Sequence, residues 1–83
     1  MKQLNHIILL CQQGKFELAR KELLELEQRQ ILNDDACFLM GSVLGELGHF
    51  EEALAYYQKA IDLAPDKSQA YIGKTKALLI QGH

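Results

Sequence analysis

Apolar residues recur at three- and four-residue steps along most of this chain, and glycines and a single proline mark the breaks. That spacing places them on one face of successive α-helices. Between Glu51 and Leu63 the face is built from Ala53, Leu54, Tyr57, Ala60 and Ile61, with Ala64 just beyond. Pro65 stops this helix, because proline disfavours the helical conformation of the residue before it. Upstream, Asn33, Asp34 and Asp35 supply N-cap candidates for a helix from Asp35 to Leu47. Gly48 ends that helix, since glycine takes a left-handed C-cap without steric cost. The same cues predict helices over Lys2–Gln13 and Phe16–Arg29. A last helix, Gln69–Gln81, follows caps at Asp66 and Ser68. The expected fold is all-α, with five helices.

The breaks are periodic. Gly14, Gly48 and Gly82 are spaced 34 residues apart, twice over. Sliding the chain by that step aligns Phe16 with Phe50, Glu17 with Glu51, Ala19 with Ala53 and Ala36 with Ala70. Leu10, Leu44 and Leu78 fall in register, as do the large apolar residues Leu4, Phe38 and Ile72. A repeat of this length reads as a helix pair that stacks on its neighbours to cover its apolar face. Gly41, Ala53 and Ala60 are expected to let the two helices of the central unit approach closely, with Tyr57 filling the space beside them. Tyr56, next in sequence, must face elsewhere and is expected to be exposed or half-buried between repeats.

Composition narrows the function classes. A chain of 83 residues is one small domain or a piece of a larger protein. Its formal net charge of −2 argues against nucleic acid or an anionic membrane as partner, both of which need a basic face. No apolar run approaches the ~20 residues of a membrane span. The stretch "IILLC" near the N-terminus is shorter than the ~7 residues that begin a signal-peptide core. Leu10 also stands before Cys11 where a lipobox would carry a small residue. Two cysteines make no disulfide framework, so a reducing cytoplasm is the expected setting.

Candidate chemistry is sparse. Cys11, Cys37, His6 and His49 have no tight ligand spacing and no nucleophile–base pattern, so neither a catalytic site nor a metal site is expected. The glycines follow no strand and make no phosphate loop, and no cofactor is expected. Cys37 reads as a small packing residue and Cys11 as a partly exposed thiol. Glu17, Lys21, Glu22, Glu25 and Glu27 read as a solvated outer face with salt bridges between neighbouring turns.

Over residues 34–67 the pattern resembles the tetratricopeptide repeat. Gly41, Leu44, Gly48, Phe50, Ala53, Tyr57, Ala60 and Pro65 stand where that motif expects them. Met40 takes the usual leucine site and Cys37 the usual tryptophan site. The copy before it, residues 1–33, keeps Leu10, Gly14, Phe16 and Ala19. It departs at Ile7, Leu26 and Ile31, which replace a small residue, an alanine and a proline. The copy from 68 to 83 has Tyr71 at the tryptophan site, with Leu78 and Gly82, and stops before its second helix. The resemblance implies one domain over residues 1–83, a right-handed α-solenoid of antiparallel helix pairs with about two and a half repeats. Lys74 and Thr75 replace the residues that would face a second helix. They suit a capping helix that meets water and an array ending near His83, whereas the apolar "ALLIQGH" suits a longer array.

The family's concave surface, lined by the first helix of each repeat, generally binds a peptide or partner segment. The resemblance assigns that groove to Leu4, Ile8 and Cys11, then Phe38, Ser42 and Gly45, then Ile72, Lys76 and Leu79. This stripe is mostly apolar. Leu4, Ile8, Leu39, Gln69 and Gly73 occupy the sites where chaperone-tail clamps carry basic and amide residues, so carboxylate clamping is not expected. Gly45 reads either as a notch for a bulky side chain or as a tolerated glycine. The implied function is a non-catalytic interaction module that takes an apolar or amphipathic segment of a protein partner into the groove. The alternative is a homodimeric scaffold, or an N-terminal recruiting arm of a larger, enzymatic protein.

Overall fold

A computed structural model describes residues 2–66 and 68–81 of the chain; Met1, Lys67, Gly82 and His83 lie outside the described residues, and with them the third glycine of the ladder. Five α-helices follow one another: α1 Lys2–Gln12, α2 Phe16–Gln28, α3 Asp34–Glu46, α4 Phe50–Leu63 and α5 Ser68–Gln81. No strand occurs among the described residues. Consecutive helices pack on one another, most extensively α3 with α4 and α4 with α5, while α1 and α5 both also touch α3. The architecture is a helical solenoid of hairpins.

Three of the helix ends share one device. Past α1, α2 and α3 the chain turns through a left-handed residue: Gly14 at φ 76°, Gln30 at φ 59° and Gly48 at φ 86°. The following N–H then donates back to the carbonyl five residues earlier, Lys15 to Leu10, Ile31 to Leu26 and His49 to Leu44. These bonds satisfy carbonyls that a helix end otherwise leaves open. At the start of α3, Asn33 is the residue that caps, its Oδ1 accepting from the Ala36 N–H at 2.9 Å. Asp34 and Asp35 lie inside the first turn, where acidic charge meets the positive end of the helix dipole. Ser68, expected as a cap, is instead the first residue of α5.

The core runs along the contact between hairpins. Ile7, Leu23, Met40, Val43 and Leu44 are its large fully buried side chains, with Ala19 and Ala53 buried among them, and Ala60 is buried in a second cluster with Cys37, Ile61 and Ala70. Tyr57 does more than fill space beside a close approach. A Cβ on Gly41 would lie 2.8 Å from the Cδ1 and Cε1 atoms of its ring, and a Cβ on Gly73 would lie 2.5 Å from the same Cε1. The ring is therefore held between α3 and α5 by two glycines, only one of which the spacing pointed to. Phe38 packs against it with ring centroids 5.9 Å apart and planes tilted by 52°, a favourable aromatic geometry.

Several polar side chains join one helix to another. Glu22 pairs with His6 of α1 at 3.2 Å, and Glu27 with Lys59 of α4 at 3.6 Å. The Tyr56 hydroxyl sits 2.8 Å from both carboxylate oxygens of Glu27. Lys59 lies 4.8 Å from the Tyr56 ring centre. The expectation of salt bridges between neighbouring turns of α2 is corrected accordingly: the reach of Glu22 and Glu27 is to other helices. Lys74 is half-buried rather than turned to water, and donates to Gln58 Oε1 at 2.6 Å; Gln58 in turn donates to Asp62 at 2.9 Å. Thr75 is exposed and returns its hydroxyl to the Tyr71 carbonyl at 2.9 Å.

Candidate functional site

A hollow of about 530 Å³ lies in the surface between α3 and α5, with Phe50 and Tyr57 of α4 also lining it. Its shape follows from the packing. Small Ala70 and Ala77 are the buried residues of α5, which lets that helix lie close on α4. Gly73 brings α5 against the Tyr57 ring. The larger side chains of α5 are thereby left on its outer sides: Tyr71, Ile72, Leu78, Leu79 and Ile80 are all exposed.

Six of the nine residues assigned to the groove line this hollow: Phe38, Ser42 and Gly45 from α3, and Ile72, Lys76 and Leu79 from α5. The three from α1 do not. Leu4 is a correction, for it is only 7% exposed and belongs to the core cluster. Ile8 is exposed and Cys11 is half-buried, both away from the hollow's walls. Glu46, Phe50 and Ile80 line it without having been expected there. For Phe50 a signal existed: it recurs 34 residues after Phe16, in step with the left-handed glycine that swings it round.

At the floor, the Tyr57 hydroxyl donates to Ser42 Oγ at 3.3 Å. Burial raises the Tyr57 pKa, the Ser42 contact works against that, and the charge of Glu46 adds to it. Ser42 Oγ keeps its own hydrogen to donate elsewhere. Gly45 leaves the adjoining wall open, because a Cβ built there would meet nothing within 4 Å. Gly41 and Gly73 are demanded by Tyr57; no neighbour demands Gly45. Glu46 and Lys76, both exposed, stand on opposite walls, and neither takes part in an ion pair among the described residues.

The thiols offer little reactivity at neutral pH. Cys11 and Cys37 are free, and burial is the main cause that pushes both upward in pKa. Glu46 adds to the rise at Cys11, while Lys59 partly opposes it at Cys37. A thiol held protonated is a poor nucleophile. Among the described residues no three His, Cys, Asp or Glu side chains are placed to hold a metal ion, and no helix is long and apolar enough to cross a membrane.

Comparison with protein families matches residues 34–67 to the tetratricopeptide repeat. Comparison with curated proteins finds no match.

Proposed function

Starting from a chain that carries a tetratricopeptide repeat over residues 34–67, we propose that the hollow between α3 and α5 captures an apolar or amphipathic segment of a protein. Repeats of this family serve generally as protein–protein interaction modules. The proposal takes residues 1–83 as one domain of two repeats, 1–33 and 34–67, followed by a partial repeat or capping helix over 68–83. It places the domain in the cytoplasm, where its two free thiols stay reduced. The groove that does the work is Phe38, Ser42, Gly45, Ile72, Lys76 and Leu79, without the α1 residues.

The observation that carries this reading is Gly45. A glycine inside a helix costs up to about 1 kcal/mol relative to alanine. Gly45 has no neighbour that excludes a side chain. Its use is then the space it leaves, a notch beside apolar walls with the hydroxyls of Ser42 and Tyr57, the Gln69 amide, one acid and one base around it. Apolar hollows with a few placed polar groups suit the anchors of an amphipathic helix or extended segment.

A peptide library displayed on phage and selected on the purified chain tests it. Selected peptides should carry bulky apolar anchors three or four residues apart. Gly45→Leu, which fills the notch, should weaken them at least about tenfold, or ~1.4 kcal/mol, with its helical circular dichroism intact. Equal binding to wild type and Gly45→Leu, or no selected peptide, would remove the hollow as the site.

A further inference from the structure

We infer that the segment this hollow fits is α5 of a second copy of the chain, seated so that each copy fills the other's notch. This rests on the groove reading above and names its occupant.

The first observation is charge. The hollow carries one acid on its α3 wall, Glu46, and one base on its α5 wall, Lys76. A two-fold interface brings residue i onto j and j onto i. Glu46 of each copy then meets Lys76 of the other, and the set is neutral and self-complementary. The carbonyl end of α3, which stops at Glu46, adds partial negative charge on the same side. An asymmetric partner would need its own acid and base in the mirrored places; a second copy has them already.

The second observation is shape. Leu79 is the most exposed large apolar residue among those described, at 65%. Gly45 leaves the notch on the facing wall. Lys76 and Leu79 lie three apart, on one face of α5, and Gly45 and Glu46 are adjacent. The register proposed seats Leu79 in the partner's notch and Lys76 on the partner's Glu46, both of which line the same hollow. This is the knob-into-hole packing by which helices associate.

The third is the need for cover. Bare apolar patches favour association, and α5 buries alanines while it exposes Tyr71, Ile72, Leu78, Leu79 and Ile80. A stable interface takes ~800 Å² from each partner, roughly 15% of the 5295 Å² this chain presents. Pairing α5 into the opposite hollow covers the patch nearest the two charges.

Sedimentation of the full chain between about 1 and 100 μM decides the matter. Wild type should form a dimer, and Gly45→Leu and Leu79→Glu should remain monomers with unchanged helicity. Glu46→Lys alone and Lys76→Glu alone should each weaken the dimer at least fivefold, since two like-charged contacts form in each homodimer. An equimolar mixture of these two variants should form a heterodimer as tight as wild type, because Lys76 of one copy then meets Glu46 of the other in the native sense while the second contact is restored with reversed sign. A wild-type monomer at 100 μM overturns the second-copy reading, while phage-selected peptides that still bind that monomer keep the groove reading alive. A dimer unaffected by Gly45→Leu, or a mixture with no preference for the heterodimer, overturns the pairing proposed here. Loss of both dimer and peptide capture in Gly45→Leu supports the two readings together.

Discussion

Three glycines inside helices look alike in the sequence and act differently in the structure. Gly41 and Gly73 both lie against the Tyr57 ring, so a side chain added at either would meet it closer than 3.0 Å. Gly41→Ala is expected to destabilise the chain by about 1–3 kcal/mol, the usual cost of overpacking. Gly45→Ala should do the opposite and stabilise by about 0.5–1 kcal/mol through better helix propensity. Urea unfolding of the two variants checks both signs at once; a stabilised Gly41→Ala would mean that Tyr57 is not clamped. Periodicity singled out Gly41 as a packing residue. It could not rank Gly45 against it, because whether a Cβ has room depends on which ring comes across from another helix.

Helix ends show where local chemistry was readable and where it was not. Gly14 and Gly48 were legible as left-handed caps, since their residue type announces the conformation. Gln30 adopts the same conformation without announcing it, held there by the Ile31 N–H bond back to Leu26. A side chain in that region costs roughly 1–2 kcal/mol. Gln30→Gly should accordingly raise stability by about 1 kcal/mol, and an unchanged urea midpoint would contradict the cap. Asn33→Ala should lose about 1 kcal/mol with the bond to Ala36. Between elements, the Tyr56–Glu27–Lys59 contact joins α2 to α4. Burial first, and then the hydrogen bond and charge of Glu27, push the Tyr56 pKa up to about 12. An unfolded tyrosine releases its proton near pH ~10. The folded chain holds its proton longer, so this stabilisation is complete below ~10 and is lost as pH rises toward 12. Tyr56→Phe should flatten part of the alkaline fall in the urea midpoint. Tyr57 and the two thiols, also shifted upward, supply the rest. An identical pH profile in the variant would mean that Tyr56 does not face Glu27.

Stacked hairpins lean on their neighbours, and stability should grade along the stack. Packing is most extensive between α3 and α4 and lightest around α1. Amide exchange should therefore be slowest in α3 and α4 and fastest in α1, by at least tenfold; uniform protection would mean a single cooperative block. The same grading explains a mismatch in the aligned leucines. Leu44 is 1% exposed beneath α4, whereas its equivalent Leu78 is 50% exposed, because none of the described helices follows α5.

Helix positions, the 34-residue step and the apolar face of each helix were all written in local order, because turn geometry and side-chain spacing act over a few residues and need no distant partner. The reach of Glu22, Glu27 and Lys74 to other helices was not. Nor was the burial of Leu4, the clamping of Tyr57 by two glycines, or the emptiness beside Gly45. Each of these is a distance between segments far apart in the chain, settled only when the helices close on one another and their side-chain volumes compete for the same space.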